Sequence, residues 1–263
     1  MALPRAMRRS LAILFVALPV AAFAAAGNGW VQVPGGSFES AIDFEDVDTL
    51  RVAPFELQRR PVTNAEFLAF VQARPEWRRD RVASVLADGR YLQHWPEATA
   101  LESDAQGRQP VVNVSWFAAQ AYCEAQGARL PTWAEWEYVA AADETRRDAR
   151  RDPAWRERIL AWYSEPTRKV LPRAGLQAPN AYGVQDIHGL VWEWTEDFSS
   201  LLMDPESRNQ GDPGKAKFCG AGALSIDDRD NYAVLMRVAM LSSLAANDTT
   251  TSMGFRCARS RQP

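Results

Sequence analysis

This chain of 263 residues has few of the side chains that most often hold transition metals, because it contains only two histidines and three cysteines. A zinc or iron site built on imidazole needs more histidine than that, so His94 and His188 are predicted to be surface or packing residues. The odd number of cysteines leaves one thiol without a partner in the chain. The composition therefore argues against a histidine-based metal enzyme.

A hydrophobic run long enough to cross a membrane is also missing. The apolar stretch near the start, Leu11 to Phe23, has 13 residues and includes a proline, whereas a spanning helix needs about 20. Three arginines precede it and an Ala-Phe-Ala triplet ends it at residue 24, which is the pattern of a secretory signal peptide. We expect residues 1–24 to be removed on export, with an uncleaved anchor as the alternative, leaving residues 25–263.

Export would place the mature protein in the periplasm or outside the cell. The Arg8-Arg9 pair keeps the twin-arginine route open, but the rest of that pattern is missing, so we favour the general secretory route. The formal net charge is −3, and removing three arginines and no acidic residue lowers it by 3, to −6. An acidic protein of this kind is a poor binder of nucleic acid or of membrane surfaces.

One carboxylate, Glu193, lies between Trp192 and Trp194. A carboxylate among indole rings loses hydration, so it needs hydrogen-bond donors, a cation or a proton. The alternation from Val191 to Thr195 predicts a short strand with both rings on one face and Glu193 on the other. Asp186, seven residues earlier, could then meet Glu193 around one ion.

The remaining sequence predicts one compact domain, because 47% of the residues are hydrophobic and no linker or repeat divides the chain. A strand from Trp30 is expected to enter a hairpin at the Pro-Gly-Gly turn of residues 34–36, and another strand to cover Val52 to Leu57. Only loops and short strands are expected after Tyr163. Capping residues and apolar spacing predict helices over Asn64–Ala73, from the Ser115 cap to Gln126, from the Thr132 and Glu135 capping box, and from Asp152-Pro153.

Several stretches resemble the formylglycine-generating enzyme (sulfatase-modifying factor) family in content, order and spacing. The resemblance spans nearly all of the chain after residue 24, and it implies a single α+β domain of C-type-lectin-like type with little regular secondary structure. The matching stretches are PVTNAEFLAFV (61–71), PVVNVSWFAAQAYC (110–123), RLPTWAEWEYVAAA (129–142), YGVQDIHGLVWEW (182–194) and GFRCAR (254–259).

The resemblance implies a structural calcium site at the carboxylate-rich stretch. By position, Asp186 and Glu193 would supply side-chain oxygens, and Gly189 and Val191 would supply backbone carbonyls, a set that suits a hard cation. The alternative is that Glu193 accepts hydrogen bonds from backbone amides or an arginine without any metal.

The resemblance also implies a disulfide between Cys123 and Cys257, with two buried thiols as the alternative. Cys219 would then be the unpaired thiol. Family enzymes that depend on copper use two cysteines placed before the GFRC closure, but no cysteine lies between Cys219 and Cys257 here. Because Cu(I) needs thiolate ligands, copper is not expected and neither is formylglycine generation.

Branches of the family without the copper pair include proteins of pyoverdine maturation and proteins associated with copper nitrite reductase. We therefore predict a periplasmic maturation or accessory factor that holds a peptide or protein segment in a cleft. The predicted cleft residues are Trp192, Gly220, Gly222 and Arg237. Cys219 is the candidate catalytic residue. The alternative function is a non-catalytic binding module of lectin-like fold, stabilised by calcium.

Overall fold

The computed structural model describes residues 29–41, 49–164, 170–199 and 232–260. The predicted leader of residues 1–24 lies outside them. Within them, short strands and helices alternate with long ordered loops, as expected for an α+β domain with little regular structure. The elements are β1 Trp30–Val33, β2 Gly36–Phe38, β3 Leu50–Val52, β4 Phe55–Gln58, α1 Asn64–Ala73, α2 Asp104–Gly107, α3 Trp116–Ala125, α4 Trp133–Ala140, α5 Pro153–Ser164, β5 Trp192–Glu193, α6 Tyr232–Ser242, β6 Met253–Gly254 and β7 Ala258–Ser260.

The first four strands form two antiparallel pairs, and this corrects the predicted hairpin at residues 34–36. β1 pairs with β4 and β2 pairs with β3, so the Pro-Gly-Gly stretch interrupts one arm of a longer ribbon. Gly35 has a φ of +70°, and a Cβ added there would lie 2.4 Å from the carbonyl oxygen of Val52. The prediction of one strand from Val52 to Leu57 is also wrong. Pro54 has no N–H to donate to a strand ladder, and the stretch is divided between β3 and β4.

The helix starts follow the capping residues. Thr63 accepts a hydrogen bond from the amide of Glu66, whose carboxylate in turn accepts from the amide of Thr63. Thr132 and Glu135 make the same reciprocal pair at α4. α3 begins after Ser115 and is followed by Gly127 at a φ of +63°. These predicted starts are confirmed.

Helix α6 was not predicted, and its presence corrects the expectation of only loops and short strands after Tyr163. It runs from Tyr232 to Ser242 and carries buried Val234, Val238 and Leu241 at helical spacing. Arg237 lies on the same element and is also buried. A helix in this position brings a positive charge into the interior.

Aromatic side chains fill much of the main core between α1, α3 and the closing GFRC stretch. Trp95, Trp133, Trp136 and Trp194 are each at most 2% exposed. Cys123 on α3 and Cys257 form a disulfide, which confirms the predicted pair. Among the described residues, no helix combines the length and apolar character needed to cross a membrane.

Candidate functional site

Glu193 is paired with a fully buried arginine. Neither side chain of the Glu193–Arg256 pair is exposed. The Nε and Nη2 groups of Arg256 donate to the carboxylate at 2.8 to 3.0 Å, and the indole Nε1 of Trp136 donates to Glu193 Oε2 at 3.1 Å. Both carboxylate oxygens therefore accept from protein N–H groups. Trp194 turns away and donates its Nε1 to the carbonyl of Val114 at 3.0 Å.

A second arginine, Arg237 of α6, approaches the same segment. Its guanidinium carbon lies 3.7 Å from the ring centroid of Trp136, and its Nη2 donates to the main-chain carbonyl of Glu193. Arg237 is 1% exposed. Burial lowers the pKa of its guanidinium to about 10, which leaves it charged at neutral pH. It therefore supports the backbone from inside instead of presenting its charge at the surface.

Asp186 lies on a separate hydrogen-bonded loop. It is 3% exposed and has a φ of +56°, and its carboxylate accepts from the backbone amides of Gly175 and Gln177. The side-chain amide of Gln185 donates to the carbonyl oxygens of Gly175 and Gln177. These bonds hold residues 175–177 against Gln185 and Asp186.

The other two predicted calcium ligands lie between Asp186 and Glu193 in the sequence. Gly189 has a φ of +77°, and a Cβ added there would meet the indole of Trp162 at 2.9 Å. Val191 is 8% exposed and packs against Gly254 of β6. β5 and β6 pair in parallel, so Trp192 lies opposite Met253. Trp192 is half-buried, and its ring is 5.0 Å from that of Tyr163.

The two carboxylates do not fit a shared calcium ion in this arrangement, because N–H donors already occupy their oxygens. Glu193 would have to release Arg256, and Asp186 would have to release two amides. Arg256 provides the hydrogen-bonded alternative for Glu193, and calcium at Asp186, Gly189, Val191 and Glu193 stays a prediction.

His188 lies beside the Glu193 cluster, which consists of Glu193, Arg256, Arg237 and Trp136. It is a packing residue, as the sequence predicted. Its Nε2 donates to the carbonyl of Ala140 at 2.8 Å, and the hydroxyl of Tyr163 is 3.2 Å from its Nδ1. Burial lowers the pKa of the imidazole to about 4 and raises the pKa of the Tyr163 hydroxyl to about 12. Both groups are neutral at neutral pH, so they add no charge to the arginines nearby.

The predicted catalytic and cleft residues are only partly described. Cys219, Gly220 and Gly222 lie outside the described residues. Trp192 and Arg237 are described: Trp192 precedes Glu193 in β5, and Arg237 donates to the main-chain carbonyl of Glu193. The partners of Glu193, which are Arg256 and Trp136, were not predicted from the sequence, although both occur in the stretches that carry the family resemblance. The unpaired charge of Glu193 indicated that such partners exist but not where in the chain they are.

A separate cavity of about 650 Å³ opens beside α4. Its charges are nearly balanced, because Arg150 pairs with Asp148 at 2.8 Å and Arg151 lies 3.8 Å from Glu39. The Glu193 cluster does not line it. The lining residues described are Ser37, Phe38, Glu39, Ser40, Thr49, Tyr138, Ala141, Arg147, Asp148, Arg150, Arg151 and Tyr182.

Comparison with known proteins agrees with this architecture. The family described as "Sulfatase-modifying factor enzyme 1-like domain" matches residues 18–261. A formylglycine-generating enzyme of Streptomyces coelicolor is 31% identical over 88% of this chain and 89% of its own length. An inactive C-alpha-formylglycine-generating enzyme 2 of Bos taurus is 28% identical over 88% and 89%. The crystal structure of CarF covers 90% of this chain and 99% of its own at 18% identity, with a TM-score of 0.48.

Proposed function

Because this chain belongs to the family of sulfatase-modifying factor enzyme 1-like domains, we propose that it is an exported maturation or accessory factor acting on a peptide or protein partner. We further propose that it does not oxidise a substrate cysteine through a copper-bound pair of thiolates. The family alone does not decide this, because one relative is named a formylglycine-generating enzyme and another is named inactive. Whether this chain can hold such a copper ion depends on its own cysteines.

The observation that carries the proposal is the number of thiols. The chain has three cysteines. Cys123 and Cys257 are bonded to each other, with an S–S distance of 2.01 Å and both residues 0% exposed. One cysteine, Cys219, is left. A soft Cu(I) ion held by two protein thiolates needs two, so a single copy of this chain cannot supply that site.

The accessory role is supported by the rigid segment at Trp192. β5, β6 and Arg237 fix the backbone there, while the ring of Trp192 keeps part of its surface open to solvent. A half-buried aromatic ring on a fixed backbone can contact a partner at low cost in side-chain entropy. Because Arg237 is 1% exposed, it would hold the segment at Trp192 in position instead of touching the partner.

A direct assay tests the chemistry. The purified protein, supplied with copper and oxygen, is incubated with a cysteine-containing peptide that the Streptomyces coelicolor relative converts to formylglycine. We expect the relative to convert the peptide and this protein to leave its mass unchanged. Copper-dependent conversion of the peptide at a rate within about tenfold of the relative's would overturn the proposal that this protein does not oxidise a substrate cysteine.

A second experiment tests the role on a partner. Intact masses of exported proteins are compared between cells with the gene, cells without it, and cells carrying Cys219→Ser. A partner whose mass or yield changes when the gene is absent supports the maturation role. If the Cys219→Ser cells match wild type, the role needs no thiol chemistry. Identical masses and yields in cells with and without the gene would contradict the proposal.

A further inference from the structure

The guanidinium of Arg256 is bonded to oxygen acceptors on several sides. Its guanidinium donates to both oxygens of Glu193 and to three backbone carbonyls, those of Gln58, Arg59 and Gln185, at 2.8 to 3.2 Å. One carboxylate and several peptide carbonyls are also the kind of ligand set that a hard metal cation prefers. In this chain a side-chain cation fills it.

The acceptors around Arg256 come from distant parts of the chain. Gln58 is the last residue of β4 and Arg59 follows it, whereas Gln185 belongs to the loop that leads into β5 and Glu193 is the last residue of β5. Arg256 itself belongs to the closing GFRC stretch. A single planar guanidinium thus joins three segments, and its five N–H groups match this geometry better than a point charge would.

Arg237 adds a second buried positive charge from α6. It contacts the same residue, Glu193, through the main-chain carbonyl, and its guanidinium stacks over Trp136. Trp136 also donates to the Glu193 carboxylate. Among the described side chains of this cluster, two guanidiniums therefore face one carboxylate, while His188 and Tyr163 beside them are neutral. The cluster carries an excess of positive charge.

We propose that the guanidinium groups of Arg256 and Arg237 serve as the fixed cations of this loop framework, in the place of a bound metal ion, so that the chain folds and keeps its loops without calcium. An added divalent cation would meet two like charges and no free carboxylate oxygen on Glu193. It would also have to compete with the amides of Gly175 and Gln177 for Asp186. Metal binding is therefore opposed by the positive charge of the two guanidinium groups and by the hydrogen bonds that the carboxylate oxygens already accept.

Metal analysis of the purified full chain tests this directly. We expect less than about 0.1 equivalent of calcium by elemental analysis. We also expect the same melting temperature in EDTA and in millimolar calcium, because an ion that binds the folded state must stabilise it by mass action. About one equivalent of bound calcium, together with a melting temperature that falls in EDTA, would overturn the proposal. This result is independent of whether the protein modifies a partner.

Arginine variants give a second test. Arg237→Met keeps much of the side-chain volume but removes the buried charge, leaving the Glu193 carbonyl without its donor. We expect its melting temperature to fall by roughly 2 to 12 °C, because a buried carbonyl without a hydrogen bond destabilises the folded state. The matched control is Arg158→Met, because Arg158 also lies over an indole, that of Trp162 at 5.9 Å, but its side chain is 42% exposed.

The control should lose no more than about 2 °C. Calcium should raise the melting temperature of Arg237→Met, in which one of the two like charges is gone, more than that of wild type. Equal losses in Arg237→Met and Arg158→Met would show that Arg237 is no framework cation, even if metal analysis finds no calcium.

Discussion

Three residues between positions 183 and 189 have left-handed backbone conformations. Gly183 and Gly189 have φ values of +84° and +77°, and Asp186 has a φ of +56°. Side chains rarely tolerate this region, although aspartate is among those that visit it because its short polar group can bond locally. The loop that leads to Glu193 is therefore bent at residues whose side chains permit it.

Gly189 gives the sharpest prediction at this scale. Gly189→Ala would place a methyl group 2.9 Å from the indole of Trp162 and force alanine to a φ of +77°. We expect a loss of about 2 to 4 kcal/mol in the free energy of unfolding, measured by urea denaturation. Gly89→Ala is the control, because nothing lies within 4 Å of a Cβ there. Equal effects of the two substitutions would contradict the close packing of Trp162.

His188 predicts how stability depends on pH. Its folded-state pKa of about 4 lies below the usual value of 6.5 because burial disfavours the charged imidazole. The unfolded chain therefore binds more protons between these values, so stability is complete above about pH 6.5 and falls as the pH drops towards 4. For His188 the loss is on the order of 3 kcal/mol.

The measurement compares wild type with His188→Gln. Glutamine can still donate to the Ala140 carbonyl but does not titrate. The free energy of unfolding at pH 7 minus that at pH 4.5 should be smaller in the variant. His94, whose pKa burial also lowers to about 4, stays in both proteins and cancels in the comparison. An unchanged difference between the two pH values would mean that His188 does not titrate with folding.

At the scale of the element, the helix starts show how local rules govern this chain. The capping boxes at α1 and α4 join residues three positions apart, so the sequence contains both partners. The strands depend on partners far along the chain. For that reason the starts of α1, α3, α4 and α5 could be predicted from the sequence, while the pairing of β1 with β4 could not.

The cap of α4 can be tested by substitution. Thr132→Ala removes the oxygen that accepts the amide of Glu135 at 3.2 Å. We expect the free energy of unfolding to fall by about 1 kcal/mol, since that amide would lose its partner at the helix start. Thr132→Ser keeps the hydroxyl and should lose less than about half of that. Chemical denaturation of the two variants against wild type decides, and equal losses would point to the methyl group of threonine instead of the cap.

Helix α6 shows the limit of reading one element at a time. Its buried positions, Val234, Val238 and Leu241, have helical spacing, but they were not enough to predict a helix against the irregular surroundings of the sequence. Arg237 lies between them on a face that becomes buried. A buried arginine makes sense only once the Glu193 carbonyl and the Trp136 ring are known to face it. That information belongs to the assembled structure.

At the scale of the whole molecule, the disulfide links two regions that are 134 residues apart in sequence. Cys123 belongs to α3, and Cys257 lies in the closing stretch beside Arg256. The bond and the Arg256 ion pair therefore fix neighbouring residues of one segment to different parts of the core. The closing stretch is thus held by a covalent bond at Cys257 and by an ion pair at Arg256.

Removing the bond should have a large effect. Closing a loop of this length restricts the unfolded chain by about 5 kcal/mol in the chain-entropy model, so the Cys123→Ala, Cys257→Ala double variant should be less stable by up to that amount. Thermal or urea unfolding measures it. Thiol alkylation of the denatured protein followed by mass spectrometry should label one cysteine before reduction and three after. Three labels on the denatured, unreduced protein would mean that the bond is absent.

The sequence by itself determined the local features of this protein: the helix starts with their caps, the buried charge of Glu193 that required a partner, the family and its α+β architecture, and the disulfide pair implied by that family. These depend on neighbouring residues or on motifs of fixed spacing. The tertiary structure decided which strands pair, that α6 forms, and that Arg256 and Arg237 face Glu193. Such choices depend on contacts between residues tens to hundreds of positions apart, whose closure is governed by the packing of the whole core.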